Sequence, residues 1–240
     1  MRQRALSAGV SFKGDCRVTG LQADADGITI HAQDGQAAST YRAAVVVVAV
    51  GANISFLREI GVLNYTPRPI VAVRAYYEGL HNLGDHIQAH FEQVPMPGYG
   101  WVFPTGKDSA NIGLGMWRDQ ASAPGSLRAA LASFLEAPRM QTMLQNATQV
   151  GTIKSYPLRI DFTTAPTFGE RILLVGESAG LVSPLTGEGI DFALETGKLA
   201  AEFLQGAFER SDFGRSSLAG YDRLLRSHFV DEASARIDVQ

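Results

Sequence analysis

The 240-residue sequence predicts a mixed α/β (α+β) fold in which a parallel, Rossmann-type unit is joined to an antiparallel sheet; three stretches carry that prediction. The first runs from Arg171 to Ala201. Its short apolar run Ile172 to Val175 suits a strand buried on both faces of a parallel sheet, and Gly176 ends it where the backbone must turn. Gly187 and Gly189 then bracket Glu188 just before an amphipathic helix. Its apolar positions Ile190, Phe192, Ala193, Leu194, Gly197, Leu199 and Ala200 fall on one side. The second stretch, Val10 to Gly51, reads as a β-meander with turn clusters at Asp24 to Gly27 and Asp34 to Gly35, feeding a buried strand Val45 to Val50. The third, Pro67 to Met116, alternates like antiparallel strands at Ile70 to Tyr77, His86 to Glu92, Gly100 to Pro104 and Ala110 to Met116.

The remaining elements follow from local punctuation. Arg2 to Ala8 reads as the last turns of a helix with Gly9 as its C-cap, and Val10 to Phe12 as the next strand. Helices are expected at Ser126 to Ala137 and Arg139 to Asn146, a strand at Thr152 to Arg159, and a last helix at Ala219 to Val230. Ser211 to Ser217 is the one stretch that reads as a flexible link.

Composition narrows the function classes. Hydrophobic residues make up 45% and charged residues 19%, the balance of a globular chain long enough for one large domain or two small ones. A formal net charge of −3 with no basic cluster argues against nucleic acid as a partner. The longest strongly apolar run, Ala43 to Val50, falls far short of the ~20 residues that span a bilayer. The single cysteine, Cys16, allows no internal disulfide and suits a reducing cytoplasm; in a strand-like segment it reads as a buried, inert thiol.

A glycine-flanked helix N-terminus presents free N–H groups and a positive dipole end, a common way to hold a phosphate or an electron-rich ring edge. At this point the chain resembles a known family. Gly176-Glu177-Ser178-Ala179-Gly180, then Pro184, then Gly187-Glu188-Gly189-Ile190 is similar to G-D-A-A-G-x-x-x-P-x-x-G-E-G-I, the second flavin-contacting motif of FAD-dependent oxidoreductases of the aromatic-hydroxylase superfamily. Within that superfamily it resembles the geranylgeranyl reductases. The resemblance implies that the acidic residue, here Glu177, bonds the ribityl chain and that the Gly187 to Ile190 turn sits at the pyrimidine end of the flavin. Glu177 and Ser178 replace the family's aspartate and alanine. Tyr99, Trp101, Phe103 and Pro104, with the N-x-G-x-G strand after them, resemble the family's Y-x-W-x-F-P signature, which lines an isoprenoid cavity beside the flavin. Alternate strand positions place the three rings on one face; taken alone, such a stripe reads as core. Tyr156, with Pro157, stands where the family's cavity edge is expected. Ala43 to Arg58 resembles a V-V-G-A-D-G-x-x-S-x-x-R segment through Gly51, Ala52, Asn53 and Arg58, with Val50 at the aspartate and Ile54 at the serine.

No G-x-G-x-x-G fingerprint occurs, so the resemblance covers nearly all of the chain but only the second and third parts of the family's pattern. The expected architecture is therefore an incomplete FAD-binding Rossmann-type domain (1–65 and 160–205), an antiparallel substrate domain (66–159) and a C-terminal helical segment (206–240). A late start, which is favoured, a gene remnant and a two-piece enzyme are the alternatives, and if the chain begins at Met1 an exposed apolar edge is expected on the parallel sheet. The resemblance implies FAD as cofactor, NAD(P)H or ferredoxin as electron donor, and reduction of C=C bonds in a lipid-like isoprenoid, with peripheral membrane contact as a further expectation. The partner expected is an N-terminal complementing chain or a second copy. No catalytic residue is implied.

Other chemistries compete. A flavin monooxygenase or halogenase-like member would share the scaffold, and a halogenase needs a cavity lysine, for which Lys107 is the candidate. A non-catalytic remnant or partner-dependent subunit would keep the cavity yet fail to hold FAD alone. Gly176 to Gly180 also satisfies G-x-S-x-G on paper, with His228 and Asp191, Glu195 or Asp212 as partners of a Ser178 nucleophile. His86 and His90 share a face, but four strand residues separate them by about 13 Å, too far for one metal ion.

Overall fold

The continuous and the alternating apolar patterns produce two kinds of sheet. The computed structural model describes residues 1–68, 70–117 and 126–233. Helix α1 (Arg2–Ser7) buries none of its residues; Gly9 adopts φ +85° just beyond it, and Val10 to Phe12 are irregular rather than a strand. Strands β1 (Cys16–Ala23), β2 (Ile28–Asp34) and β3 (Ala37–Ala43) form the expected meander, with Gly35 at φ +59° in the second turn. Cys16 is half-buried, its Sγ 3.9 Å from the Tyr41 hydroxyl.

The chain then enters β4 (Val46–Val48), shorter than the apolar run, and helix α2 (Ile54–Glu59), capped by the Asn53 side chain accepting from the Phe56 N–H. The antiparallel region comprises β5 (Ile70–Glu78), β6 (Gln88–His90), β7 (Gly98–Pro104), β8 (Ser109–Trp117) and, after helices α3 (Ser126–Leu135) and α4 (Pro138–Leu144), β9 (Thr148–Leu158). They pair in the order β6-β7-β8-β5-β9. Strict alternation decides its two faces. Val73 and Ala75 of β5, Val102 of β7, and Ile112, Leu114 and Met116 of β8 pack on one side with Leu131, Phe134, Met140 and Met143 of the helices. The other side faces a cavity.

Strand β10 (Phe168–Gly169) turns through Arg171 into β11 (Ile172–Leu174), whose residues are at most 5% exposed. β11 pairs in parallel with β4, Leu173 opposite Val47. In the described residues this sheet has the order β10-β11-β4. Val47 in β4 and Val50 just beyond it are 42% and 37% exposed. A one-turn 3-10 segment (Gly176–Ala179) follows, then helix α5 (Ile190–Arg210) and helix α6 (Arg215–Ala233).

Two expectations change here. The buried face of α5 is Phe192, Thr196, Ala200, Leu204 and Ala207, whereas Ile190 and Leu194 point outward. The periodicity argument missed it because Thr196 is polar. Its hydroxyl accepts the Gly176 N–H at 2.8 Å and donates to the Phe192 carbonyl at 2.6 Å, so it is fully buried at no hydrogen-bonding cost. Likewise Ser211 to Ser217 is not a link: Ser211 closes α5 in a left-handed conformation and α6 begins at Arg215. Residues 234–240 of the expected C-terminal segment lie outside the described residues. Leu218, Tyr221, Leu225 and Phe229 bury α6 against the same core as β11 and α5.

Candidate active site

The open face of the five-stranded sheet carries Tyr99, Trp101 and Phe103 of β7 as one continuous aromatic wall. Ring centroids are 5.9 Å apart for Tyr99 and Trp101, and 5.7 Å for the stacked pair Trp101 and Phe103. What seats the wall is the neighbouring strand. Gly113 lies opposite Trp101 and Gly115 opposite Tyr99, so the indole packs beside two positions that carry no side chain. A Cβ at Gly113 would stand 2.5 Å from the indole Cζ2. The Trp101 Nε1–H donates to the Asn111 side-chain oxygen at 2.9 Å. The N-x-G-x-G strand is therefore the bed for the tryptophan of the preceding strand.

The wall bounds a cavity of about 610 Å³, closed by Ile70, Ala72 and Leu158 on the sheet and by the loop Pro184 to Gly187. That volume falls in the range of small-molecule sites. None of the described lining residues bears a charge. The Tyr99 hydroxyl donates to the Thr186 carbonyl at 2.5 Å, tying the wall to the loop. Burial, and then the nearby Glu188 carboxylate, push the Tyr99 hydroxyl pKa up. Replacing Tyr99 by Phe is expected to lower stability by about 0.5–1.5 kcal/mol, the worth of one hydrogen bond, in a urea titration, with the wall intact.

The loop leads through Gly187, at φ +71°, to Gly189, the uncapped start of α5. No side chain accepts from the first turn of this helix. Its backbone donors are thus available to an electron-rich group, and the exposed Ile190 side chain, at 75%, stands beside them. These residues fit a flavin ring edge.

The Gly176 turn is built differently from what its sequence suggests. Gly176 is at φ +55°, and a Cβ there would lie 2.9 Å from the Ala193 Cβ; Gly180 is at φ +80°, with Asp161 Oδ1 at 2.8 Å from a Cβ. Both glycines permit close packing of protein on protein. The Glu177 carboxylate accepts the Arg159 N–H at 3.0 Å and lies over Gly51. Burial pushes its pKa above the ordinary glutamate value. An acid with a raised folded-state pKa contributes stability that is complete below its unfolded pKa and lost as pH rises through the folded one. Stability is therefore expected to decline as pH rises above about 4.5, and Glu177→Gln to flatten that decline in urea midpoints measured from pH 4 to 8.

The Ser178 hydroxyl accepts the Val50 N–H at 2.8 Å and donates to the Gly51 carbonyl at 3.4 Å; the residue is fully buried. His228 is instead paired with Glu195 at 2.7 Å on the surface. Ser178 is a strut between turns, and the hydrolase reading fails on its geometry. Lys107 sits exposed in the β7–β8 hairpin, away from the cavity lining, so the lysine a halogenase needs is not supplied there. His90 packs its ring against Phe134 with Nε2 buried and unpartnered, while His86 is exposed beside Asp85. Among the described residues no three metal-ligating side chains gather.

Of the expected site residues, Tyr99, Trp101, Phe103, Pro184 and Gly187 meet at the cavity. Pro104 and Tyr156 do not line it; Tyr156 lies opposite Ala72 but is 57% exposed. The sequence reading passed over Arg159 and Asp161. Arg159 is 0% exposed, its guanidinium bonded to both Asp161 oxygens at 3.1 and 2.9 Å and to the Ser178 carbonyl at 2.7 Å. The Tyr65 hydroxyl also donates to Asp161, and burial together with that carboxylate pushes its pKa to about 12. Only the R-I-D spacing past a strand could have hinted at the pair, and nothing in it signals burial.

Residues 80–153 match the model of the geranylgeranyl reductase catalytic domain. Digeranylgeranylglycerophospholipid reductase 1 of Methanopyrus kandleri is 31% identical over 208 residues, covering 85% of this chain and 54% of that protein. A menaquinone reductase of Mycobacterium tuberculosis is 34% identical over 140 residues, 56% of this chain and 34% of that one. The chain spans about half the length of the first of these. The fold is shared with a geranylgeranyl bacteriochlorophyll reductase-like protein of Thermoplasma acidophilum (TM-score 0.79, 22% identity, 91% of this chain and 55% of that one). It is shared also with the flavin-dependent halogenase CmlS (TM-score 0.73, 20% identity, 96% and 43%). With the aromatic wall and its glycine bed inside the matched residues 80–153, and a relative 31% identical over 85% of the chain, the protein belongs to the geranylgeranyl reductase family of FAD-dependent oxidoreductases.

Proposed function

We propose that this chain forms the substrate cavity and part of the flavin site of a reductase that saturates C=C bonds in the prenyl chain of a lipid. The observation that carries the reading is the uncharged cavity, walled by Tyr99, Trp101 and Phe103 and closed by the loop that opens α5. A prenyl chain offers only apolar surface, and burial against three rings returns about 25 cal/mol per Å². The names of the relatives, a glycerophospholipid and a menaquinone reductase, support an isoprenoid lipid.

Gly187, Glu188, Gly189 and Ile190 would hold the ring edge of FAD through backbone N–H groups. Gly176, Glu177, Ser178, Gly180 and Gly51 would brace the turn on which that edge depends, with Pro184 in the connecting loop. FAD in its reduced form supplies a hydride, and NAD(P)H or ferredoxin would supply the electrons. The chain's own contribution is to lay the alkene along the ring wall, to exclude water from an uncharged pocket, and to keep wall and loop in register through the Tyr99 to Thr186 hydrogen bond.

The test combines the purified chain with FAD and a geranylgeranyl glycerolipid under dithionite and follows product mass. A gain of two hydrogens per double bond is the expected result. Titration with geranylgeraniol should also quench the tryptophan fluorescence, since Trp101 and Trp117 both line the cavity; absence of both effects would overturn the reading. A second reading rests on the exposed Val47 and Val50 at the β4 edge: a chain that needs a complementing strand to keep FAD. Loss of flavin on gel filtration, together with retained quenching by geranylgeraniol, would favour it.

A further inference from the structure

At the border of the substrate cavity we propose a phosphate subsite, formed by Arg74 of β5 and Lys154 of β9, which selects prenyl lipids that carry a phosphate ester. The proposal rests on the cavity taking a prenyl chain. Strand alternation puts Ala72, Arg74 and Tyr76 on one face of β5, and Ala72 lines the cavity. Arg74 therefore stands about 7 Å further along the strand, just past an uncharged lining. The register of the sheet ties it to the aromatic wall. Trp101 lies opposite Gly113, Gly113 opposite Arg74, and Arg74 opposite Lys154. Gly113 leaves no side chain between ring and cation: a Cβ there would meet the Trp101 Cζ2 at 2.5 Å and the Arg74 Cβ at 2.8 Å. The wall thus runs directly into a pair of cations.

What the pair lacks is an anion. Like charges directly opposite each other in an antiparallel pair repel and destabilise the sheet. Among the described residues neither cation forms an ion pair. The carboxylate on the same face of β5, Glu78, is four residues beyond Arg74, about 13 Å along the strand. The Arg74 guanidinium lies over the Tyr76 ring at 4.6 Å, a contact that uses its planar face and none of its N–H donors. Lys154 is exposed, and the register of β9 slips just before it, through Gly151 at φ +71°, a bulge of the kind that re-aims a side chain beside a site. A phosphate ester answers both cations. Two of its oxygens match the guanidinium fork, and its remaining charge meets the ammonium group. A neutral prenyl alcohol or quinone leaves the repulsion in place. The chain then lies along Trp101 and Tyr99 toward the loop that Tyr99 holds through Thr186, with the headgroup on the opposite side of the wall.

The test is a titration of tryptophan fluorescence, without FAD, by geranylgeraniol and by geranylgeranyl phosphate, since Trp101 and Trp117 line the cavity. The phosphate is expected to bind about tenfold more tightly than the alcohol, and that ratio to fall toward one in 0.5 M salt. Lys154→Glu and Arg74→Gln should each bring the ratio to about one or below at low salt. Unchanged urea midpoints would show that both variants fold. Digeranylgeranylglyceryl phosphate and geranylgeranyl diphosphate, titrated in parallel, distinguish a glycerolipid from a prenyl diphosphate as the source of the phosphate. The compound with the larger gain over its dephosphorylated counterpart is the one the subsite serves. Equal affinities for alcohol and phosphate in the wild type, or a ratio that both variants retain, would overturn the subsite. Quenching by neither ligand would sink the prenyl reading itself, whereas quenching by both at equal affinity would sink the subsite alone.

Discussion

Arg159→Met is expected to cost about 3–5 kcal/mol of stability, the largest loss from any single change considered for this protein. The guanidinium is completely buried and answers three acceptors, both oxygens of Asp161 and the carbonyl of Ser178. Methionine fills much of the volume but leaves the Asp161 carboxylate, 12% exposed, with only the Tyr65 hydroxyl and little water. Removing one partner of a buried pair strands the other charge, so the loss far exceeds that of an exposed ion pair. Asp161→Leu in the same background removes the stranded charge. Urea titrations of the two variants should show the double variant regaining part of the loss; a double variant less stable than Arg159→Met would show that packing, and not the charge, was at stake. The effect would also reach the Gly176 turn, since the guanidinium holds the Ser178 carbonyl, whereas the bond from the Arg159 backbone N–H to Glu177 would remain.

Gly113→Ala is expected to cost about 1–3 kcal/mol and to weaken geranylgeraniol binding at least tenfold, whereas Gly115→Ala should be nearly neutral. A methyl group at Gly113 would stand 2.5 Å from the Trp101 Cζ2 and 2.8 Å from the Arg74 Cβ, and would also collide with the Val73 carbonyl. The carbonyl belongs to a paired strand and cannot yield, so the indole must leave its bed and give up its bond to Asn111. At Gly115 the nearest atom, Trp101 Cζ3, is 3.7 Å away, an ordinary contact. Urea midpoints of the two variants measure the stability and fluorescence titration with geranylgeraniol the affinity; equal affinities would show that Trp101 does not form the wall in solution.

Most of the fold was legible in the chain because it rests on local chemistry. The turns at Asp24 to Gly27 and Asp34 to Gly35, the alternation of β5 and β8, and the apolar run of β11 each follow from residues adjacent in sequence. Errors arose where long-range partners overrode the local signal. Thr196 enters the core of α5 because Gly176, twenty residues earlier, needs an acceptor. Val10 to Phe12 read as a strand but stay irregular. Within the site, the aromatic wall was recognisable through its resemblance to the family signature, since its spacing alone reads as core, and the glycine-opened helix from its bracketing glycines. The Gly176 turn was recognised for its motif, but that Glu177 and Ser178 accept the Arg159 and Val50 N–H groups was not legible in it.

The sequence by itself determined the family, the two kinds of sheet and the residues of the wall, because side-chain period, turn residues and motif spacing are properties of neighbours along the chain. Only the tertiary structure decided that Ser178 is a strut, that Glu177 turns onto a backbone donor, that Gly113 exists to seat Trp101, and that Arg159 is a buried cation. Each of these depends on which donor, acceptor or ring arrives from a distant segment. A buried polar group is tolerated only where such a partner meets it, and linear order does not show which partner that will be.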